Sequence, residues 1–279
     1  MKPGISTGLF YKTSILEALP VIKNAGFEVV EIWAGTEKYG AFTHFDWHKE
    51  REIKSLELCI NGLGLKVDAL HSPFSEIIDI SSPDEKMRLF AVEEIERSMY
   101  CMKRLGGKNL VIHPASTDQS LKDDISVRFS KSRQSLETLY IRAQDLGVRL
   151  AVETQLPHIF GGEVETLLRL IDGFSHEVCG FCFDSSHANL YRRGAVETFK
   201  SLSQRIFSLH ISDNNGSRDD HLIPGDGVIN WQELIYYIKK SSACEVFMLE
   251  VLMEEGYKND TPQGVLSRSR KAAQMLLGV

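Results

Sequence analysis

Apolar residues along the chain fall into short runs that alternate with longer segments of helical periodicity. The short runs cover residues 4–10, 29–34, 65–70, 109–112, 148–152, 179–183, 206–209 and 246–249. The helical segments cover residues 13–25, 47–63, 83–105, 125–146, 163–172, 195–202, 231–240 and 262–277. Strands that alternate with helices indicate a parallel sheet with helices packed outside it, and eight such units predict a closed (β/α)8 TIM barrel of the α/β class.

An open, doubly wound sheet is the alternative architecture for this alternation. Such a sheet usually carries a glycine-rich phosphate-binding turn after its first strand. The sequence Gly8-Leu9-Phe10 is not such a turn, and the chain contains no P-loop motif. Because no proline- or glycine-rich linker separates the eight units, we expect one domain that spans residues 1–279.

Composition narrows the functional classes. The chain of 279 residues is 43% hydrophobic and 25% charged, which provides a sizeable core and argues against disorder. Its formal charge of -6 at pH 7 weighs against a nucleic-acid surface, since phosphate binding usually leaves a basic footprint. The N-terminus lacks the apolar core of a signal peptide, and no run reaches the ~18 apolar residues of a membrane helix. We therefore expect a cytoplasmic protein that does not bind membranes.

The cysteine pattern indicates reduced thiols. The chain has five cysteines, an odd number that does not suit a disulfide framework. Cys179 and Cys182 form a C-x-x-C motif, but they lie in an apolar run that is predicted to be a strand. Side chains three positions apart in a strand point to opposite faces, so the two sulfurs should diverge. We interpret the pair as buried cysteines rather than as a redox or zinc motif.

A side chain that can bind metal closes each of the last six predicted strands: His71, His113, Glu153, Asp184, His210 and Glu250. In a (β/α)8 barrel those strand ends share one face, where the βα loops form the active site. Each residue alone has a simpler explanation, as a hydrogen-bonded structural histidine or as the partner of a buried lysine. Six of them on one rim would concentrate buried charge unfavourably unless a cation neutralises it. The pattern therefore predicts a divalent metal centre.

Three more residues are candidate metal ligands, although each also suits another role. His187 follows Asp184 by three residues, where it is equally suited to ligate a metal, donate to a substrate or cap a helix. Asp219 and His221 form a D-x-H pair in the long loop after His210, which suits either ligation or a hydrogen bond that orders the loop. Carboxylates combined with imidazoles suit Zn²⁺, Mn²⁺, Co²⁺ or Mg²⁺.

In their order and spacing, these residues resemble the xylose isomerase-like TIM barrel superfamily. That superfamily includes the AP endonucleases of the endonuclease IV type and many sugar isomerases and epimerases. The motifs that carry the resemblance are Leu70-His71-Ser72, Val111-Ile112-His113-Pro114, Val152-Glu153-Thr154, Phe183-Asp184-Ser185-Ser186-His187, Leu209-His210-Ile211-Ser212-Asp213, Asp219-x-His221-x-x-Pro-Gly-x-Gly and Leu249-Glu250. They extend over essentially the whole chain.

The resemblance implies two nested metal sets. Isomerases and epimerases of the superfamily hold one divalent ion with residues that match Glu153, Asp184, His210 and Glu250. The endonucleases hold three zinc ions with those residues and with matches to five more, all present here: His71, His113, His187, Asp219 and His221. The implied cofactor is a divalent metal, zinc or manganese in the first place, with one to three ions per chain.

Loop composition favours a small carbohydrate over DNA. The loop at residues 35–47 has Lys38 as its only basic residue apart from His44, and the loop at residues 72–79 has none. Binding of duplex DNA depends on several phosphate-neutralising cations. The first strand, at residues 4–10, also departs from the His-Val-Ser-type start of the endonuclease pattern. Three aromatic side chains are candidate walls for a neutral polyol, although each also suits the core: Trp33, His44 and Trp47.

The leading hypothesis is a metal-dependent isomerase or epimerase of a small sugar or sugar phosphate. The metal would stabilise an enediolate, Glu153 and Glu250 would remove and return the proton, and His187 and Arg218 would hydrogen-bond the developing oxyanion. The alternative is an endonuclease IV-like zinc phosphodiesterase that acts at abasic sites in DNA. A third hypothesis is a barrel that binds a ligand without turnover. A homo-oligomer is compatible with the sequence.

Overall fold

Eight parallel strands form the central sheet of the computed structural model, which describes residues 1–40, 42–116, 124–241, 244–253 and 255–279. The strands are β1 (Lys2–Ser6), β2 (Val29–Trp33), β3 (Lys66–His71), β4 (Asn109–Ile112), β5 (Arg149–Glu153), β6 (Cys179–Asp184), β7 (Ile206–His210) and β8 (Val246–Leu249). Each of the strands β1 to β7 pairs with its neighbours in the chain, and β8 returns to pair with β1. This order confirms the predicted (β/α)8 barrel.

The barrel closes between β7 and β8 through an isolated bridge rather than a continuous ladder. Ile211, just beyond β7, donates its backbone N–H to Met248 O at 2.8 Å, and Glu250 N donates to Ile211 O at 3.1 Å. The other neighbouring strands pair over at least three residues each within the described ranges. The seam between β7 and β8 is thus the least paired part of the barrel wall.

Helices cover the outside of the sheet. Their bounds are α1 (Ile15–Asn24), α2 (Glu50–Leu63), α3 (Glu85–Arg104), α4 (Ile125–Leu146), α5 (Val164–Leu170), α6 (Ser185–Asn189), α7 (Gly194–Leu202), α8 (Trp231–Lys240) and α9 (Pro262–Leu277). Gly64 and Gly147 end α2 and α4 at φ 62° and 63°, a left-handed conformation that glycine adopts without a steric penalty. Among the described residues, no helix is long and apolar enough to cross a membrane.

The first predicted strand is shorter than the apolar run that predicted it. The run at residues 4–10 contains β1, which ends at Ser6, and then a 3-10 helix over Thr7–Phe10. The hydroxyl of Ser6 accepts the N–H of Gly8 at 3.3 Å and so begins the new helix. Prediction of one continuous strand was wrong because a buried 3-10 turn is as apolar as a strand.

Two helix starts also differ from the prediction. Helix α2 begins at Glu50, three residues later than predicted, because the carboxylate of Asp46 accepts the N–H of His48 at 3.1 Å in a turn before the helix. The short helix α6 was not predicted. It begins on the carboxylate of Asp184, which accepts the N–H of His187 at 2.8 Å. This cap fixes the direction in which the next turn leaves β6.

The core has an outer layer, between sheet and helices, and a small interior. The barrel interior packs Ala69, Val111, Ala151 and Cys182, with Phe207 against them. Cys182 belongs to this interior and Cys179 to the outer layer, which confirms that their side chains diverge. All five cysteines are free thiols, as predicted.

Candidate metal centre

The six side chains predicted at the strand ends converge at the carboxyl-terminal mouth of the barrel. Ligand atoms of four of them lie within 4.8 Å of one another: Glu153, Asp184, His210 and Glu250. His210 is at the centre of this set. Its Nδ1 atom lies 2.9 Å from Glu153 Oε1, 3.0 Å from Glu250 Oε2 and 4.0 Å from Asp184 Oδ2. The four residues are almost completely buried.

Three buried oxygens in this set accept no hydrogen bond of acceptable geometry: Glu153 Oε2, Asp184 Oδ2 and Glu250 Oε2. Histidine nitrogens lie 3.0 Å from two of them, His113 Nε2 from Glu153 Oε2 and His210 Nδ1 from Glu250 Oε2, but they are not aligned as donors. Buried carboxylate oxygens without hydrogen bonds are rare in proteins, because burial removes their hydration and no other interaction replaces it. A divalent cation supplies the missing partner for all three. The donor set of three carboxylates and one imidazole therefore fits a hard or borderline ion such as Zn²⁺ or Mn²⁺.

Two further clusters flank the four-residue set. His71 Nε2 and His113 Nε2 lie 3.3 and 3.0 Å from Glu153 Oε2, so Glu153 is shared between two clusters. On the other side, Asp219 Oδ2 lies 3.1 Å from His187 Nε2 and 2.8 Å from His221 Nε2. The structure thus brings all nine predicted ligand residues into one continuous polar site.

Main-chain carbonyls orient three of the histidines. The Nδ1 atoms of His71, His187 and His221 lie 2.9, 2.7 and 3.1 Å from the carbonyl oxygens of Ser72, Thr154 and Glu250. In a neutral imidazole, Nδ1–H donation to a carbonyl leaves Nε2 unprotonated and turned toward the site, which is the usual arrangement of metal-binding histidines.

Glu31 is part of the site, although the pattern of strand ends did not predict it. It lies in the middle of β2, is completely buried, and places Oε2 at 3.0 Å from His210 Nε2. The signal in the sequence was a single carboxylate within the apolar run Val29–Trp33. Because the ligand prediction depended on polar residues at strand ends, a carboxylate two positions inside a strand was missed.

Asp213 holds the loop that carries Asp219 and His221. Its carboxylate accepts hydrogen bonds from four donors: Asn214 N at 2.9 Å, Gly225 N at 2.9 Å, Ile229 N at 3.1 Å and Trp231 Nε1 at 2.6 Å. His221 has a φ of 45°, the only positive φ of a non-glycine residue within the described ranges. Such strain persists where the surrounding structure fixes it, and it is frequent at functional sites.

The charges in the site compensate one another. Burial raises the pKa of Asp184 to about 7. Burial would also raise the pKa of Glu250, but His210 outweighs it and lowers that pKa to about 2. Burial opposes protonation of His221, yet Asp219 raises its pKa to about 10. His210 therefore keeps Glu250 ionised, whereas Asp184 retains a raised pKa, and a bound divalent ion would take over this electrostatic role of the histidine.

An aromatic pocket of about 140 Å³ lies beside the metal ligands. Phe74 joins the two, since its ring centroid lies 4.2 Å from that of His113 and 6.2 Å from that of Trp33. Trp33 and Trp47, both predicted as candidate walls, line the pocket. The other lining residues are Tyr11, Ala34, Gly35, Thr36, Tyr39, Gly40, Phe42 and Pro73. Mostly apolar walls with few polar groups are typical of small-molecule sites.

His44 and Arg218 do not line this pocket. His44 is completely buried behind Trp33, with its Nδ1 atom 2.6 Å from Thr13 O, and burial lowers its pKa to about 4. The side chain of Arg218 is 60% exposed and pairs with Asp220. His44 thus belongs to the core, and Arg218 belongs to the surface of the long loop.

The fold and the cluster of histidines and carboxylates at its mouth place the protein among (β/α)8 barrels with a candidate metal centre. The family model described as "Xylose isomerase-like TIM barrel" matches residues 19–272, so the chain belongs to that family. The "Inosose isomerase" of Bacillus licheniformis is 26% identical over 190 residues, which are 65% of this chain and 67% of that protein. The "Probable endonuclease 4" of Acholeplasma laidlawii is 24% identical over 270 residues, which are 91% of this chain and 87% of that protein.

Solved structures share the fold over the whole chain. A "D-tagatose 3-epimerase-like protein" superposes with a TM-score of 0.84 and 24% identity, over 100% of this chain and 97% of that one. Proteins similar to this chain thus include one named as an isomerase, one named as epimerase-like and one named as a probable endonuclease.

Proposed function

We propose that this protein is a divalent-metal-dependent isomerase or epimerase of a small sugar or sugar phosphate. The observation that carries the proposal is the pair Glu153 and Glu250. Their carboxylates lie 2.9 and 3.0 Å from the same nitrogen of His210, and both are almost completely buried. Two carboxylates that converge on one ion are the groups that proton removal and proton return require.

In this proposal the metal ion stabilises negative charge, and side chains of the protein transfer the proton. A bound divalent ion supplies Lewis-acid stabilisation of charge on the substrate oxygens. Glu153 lies at the end of β5 and Glu250 follows β8, and one removes the carbon-bound proton while the other returns it. His187, with its imidazole protonated at both nitrogens, donates a hydrogen bond from Nε2 to the oxygen that becomes negatively charged. Burial of the site excludes water from the reacting carbon.

The aromatic pocket holds the part of the substrate that does not react. Its walls at Trp33, Trp47 and Phe74 suit the C–H faces of a sugar rather than charged phosphates. Lys12 lies at the edge, with its Nζ atom 5.1 Å from the ring centroid of Tyr11 and 5.9 Å from that of Phe42. Lys38 lies beside another wall of the pocket, with its Nζ atom 4.7 Å from the ring centroid of Tyr39, and the two lysines suit one terminal phosphate of a small sugar. His44 and Arg218 have no role in this proposal.

A zinc phosphodiesterase is the second candidate, and one observation favours it. The two flanking clusters, His71 with His113 and His187 with Asp219 and His221, are as compact as the central one. An isomerase that uses one ion does not require them. In this alternative, three zinc ions would occupy the site and act on abasic DNA.

Metal content and product analysis test the proposal together. Purified protein is stripped with chelator, reloaded separately with Mn²⁺ and Zn²⁺, counted for metal, and assayed against keto sugars, their phosphates, inososes and abasic-site DNA. The proposal expects full activity with one ion per chain and turnover of a carbohydrate. Three zinc ions per chain with nicking of the DNA, and no carbohydrate turnover, would replace it with the second candidate.

A further inference from the structure

His210 presents its two ring nitrogens to two different sets of carboxylates. Nδ1 faces the predicted metal ligands, with Glu153 Oε1 at 2.9 Å and Glu250 Oε2 at 3.0 Å. Nε2 faces Glu31 Oε2 at 3.0 Å on the opposite side of the ring. A neutral imidazole has one protonated nitrogen, and only the other can bind a metal. If Nδ1 binds the ion, Nε2 must carry the proton and donate it to Glu31.

The partner of His210 differs in kind from the partners of the other oriented histidines. His71, His187 and His221 face neutral main-chain carbonyls, whereas His210 faces a carboxylate. Hydrogen bonds to an ionised acceptor are roughly twice as strong as neutral ones. A carboxylate behind the ring also makes the imidazole a more basic ligand.

Glu31 has no structural partner that would otherwise explain it. Its side chain is 0% exposed, and Oε1 accepts no hydrogen bond. His210 is the only side chain in the described ranges within ion-pair distance of the carboxylate. The residues beside it in the neighbouring strands are Ser6 and Ala69, neither of which carries charge. Such a carboxylate contributes little to stability, since desolvation opposes its single contact.

We propose that Glu31 is a positioning residue that selects Nδ1 of His210 as the metal ligand and strengthens metal binding. It contacts neither the ion nor the substrate and acts through His210. The inference rests on the proposed metal-dependent function, because it assigns Glu31 a role only if a metal binds to the four-residue set.

The matched control is a second histidine–glutamate pair, which lies away from the predicted metal ligands and whose glutamate is buried. His48 Nε2 lies 2.7 Å from Glu94 Oε2, and Glu94 is 4% exposed. This pair links the turn before α2 to α3 and contacts none of the nine predicted ligands in the described structure. Glu94→Gln therefore makes the same chemical change as Glu31→Gln and leaves the metal centre intact.

Chelator competition measures the dissociation constants of Zn²⁺ and Mn²⁺ for the wild type, Glu31→Gln and Glu94→Gln. Glu31→Gln should weaken binding by about 10- to 100-fold, as loss of such outer partners usually does. Glu94→Gln should stay within about threefold. An affinity of Glu31→Gln within threefold of the wild type overturns the inference, whereas absence of metal binding in the wild type overturns the proposed function instead.

A measurement on the wild type covers the case in which Glu31→Gln does not fold. Long-range ¹⁵N–¹H spectra of the zinc-loaded protein report which nitrogen of each histidine carries a proton. The inference expects His210 to be protonated at Nε2, with its proton shifted far downfield by the carboxylate. A proton on Nδ1 of His210 in the zinc-loaded protein overturns it.

Discussion

Glu153 is the residue on which most contacts of the site converge. It belongs to two of the three clusters, and its oxygens lie within 3.3 Å of His71, His113 and His210. Glu250 belongs to the central cluster and to a group with His71 and His210, and its carbonyl orients His221. In the proposed function, loss of either glutamate therefore removes a base and a shared ligand.

Glu153→Gln and Glu250→Gln should each lower carbohydrate turnover by at least about 10²-fold, because a glutamine neither accepts a proton nor neutralises the ion. Steady-state rates with saturating metal measure this effect. Glu137→Gln, at a half-exposed position of α4 where the carboxylate pairs with Arg133, should keep its rate within about twofold. Full activity in both site variants would show that these carboxylates do not transfer the proton.

Asp68 gives a prediction about pH that is independent of the metal site. It is partly buried in β3, and burial, followed by repulsion from Glu31, raises its pKa to about 6. A carboxylate whose pKa is higher in the folded state binds its proton more tightly there. Its ionisation therefore lowers the free energy of unfolding as pH rises from about 4 to about 6, and the loss persists above pH 6.

Asp68→Asn should raise the free energy of unfolding at pH 7 by about 1–3 kcal/mol relative to the wild type, and the difference should shrink toward pH 4. Urea denaturation at several pH values measures it. Asp145→Asn, at an exposed position of α4, should change stability by less than about 0.5 kcal/mol. A difference for Asp68→Asn that does not vary with pH contradicts this explanation.

The sequence predicted which side chains converge at the mouth of the barrel, but it did not predict the residues that lie behind them. His71, Glu153 and Glu250 were predicted because strand ends share one face in any barrel of this topology. Glu31 was missed because strand periodicity shows only that a side chain faces the interior, and not what it meets there. His44 was predicted as a wall from its position in a loop, yet the loop folds back and buries it.

At the scale of elements, the loop between β7 and α8 depends on close approach of its backbone. A Cβ atom on Gly227 would lie 2.3 Å from Asn214 O and 2.3 Å from Asp213 Oδ1, so no larger residue fits. The contact involves the carboxylate of Asp213, which accepts four hydrogen bonds. This carboxylate holds the turn that carries Asp219 and His221. The sequence predicted the loop as a wall of the site, but Asp213 as its anchor was visible only in the structure.

Gly227→Ala should lower the melting temperature, with a loss of about 1–3 kcal/mol, because the loop must shift to admit the methyl group. Gly62→Ala is the matched control. Gly62 lies within α2, and a Cβ atom added there would have no neighbour within 4 Å, so alanine should stabilise by about 0.5–1 kcal/mol. Thermal melts of both variants measure the two changes in melting temperature. A change in the same direction for both variants would contradict the packing argument.

At the scale of the whole molecule, the candidate metal centre spans the least paired seam of the barrel. Its four central side chains lie at the ends of β5, β6 and β7 and at Glu250, the residue after β8. His210 and Glu250 therefore lie on either side of the seam that one bridge closes. The alternation of strands and helices predicted eight units in a barrel, but it carried no information on which pair of strands is poorly joined.

Metal binding should slow amide exchange on both sides of this seam. Hydrogen exchange of metal-loaded and chelator-treated protein should differ most in peptides that cover residues 206–213 and 246–253. Peptides that cover β3 and β4, on the opposite side of the barrel, serve as the internal control. Loading at 100 times the dissociation constant should also raise stability by about 2.7 kcal/mol. Uniform protection across the barrel would contradict a local role at the seam.

Solvent deuterium incorporation tests the central claim, metal-dependent proton transfer on a sugar, most directly. The metal-loaded protein is incubated in D₂O with a panel of keto sugars, their phosphates and inososes, and proton NMR follows the C–H signals beside each carbonyl. We predict that at least one sugar gains deuterium at that carbon, and that chelator or Glu153→Gln abolishes the gain. Product that forms without deuterium, or a panel that does not exchange while abasic DNA is cleaved, would contradict the claim.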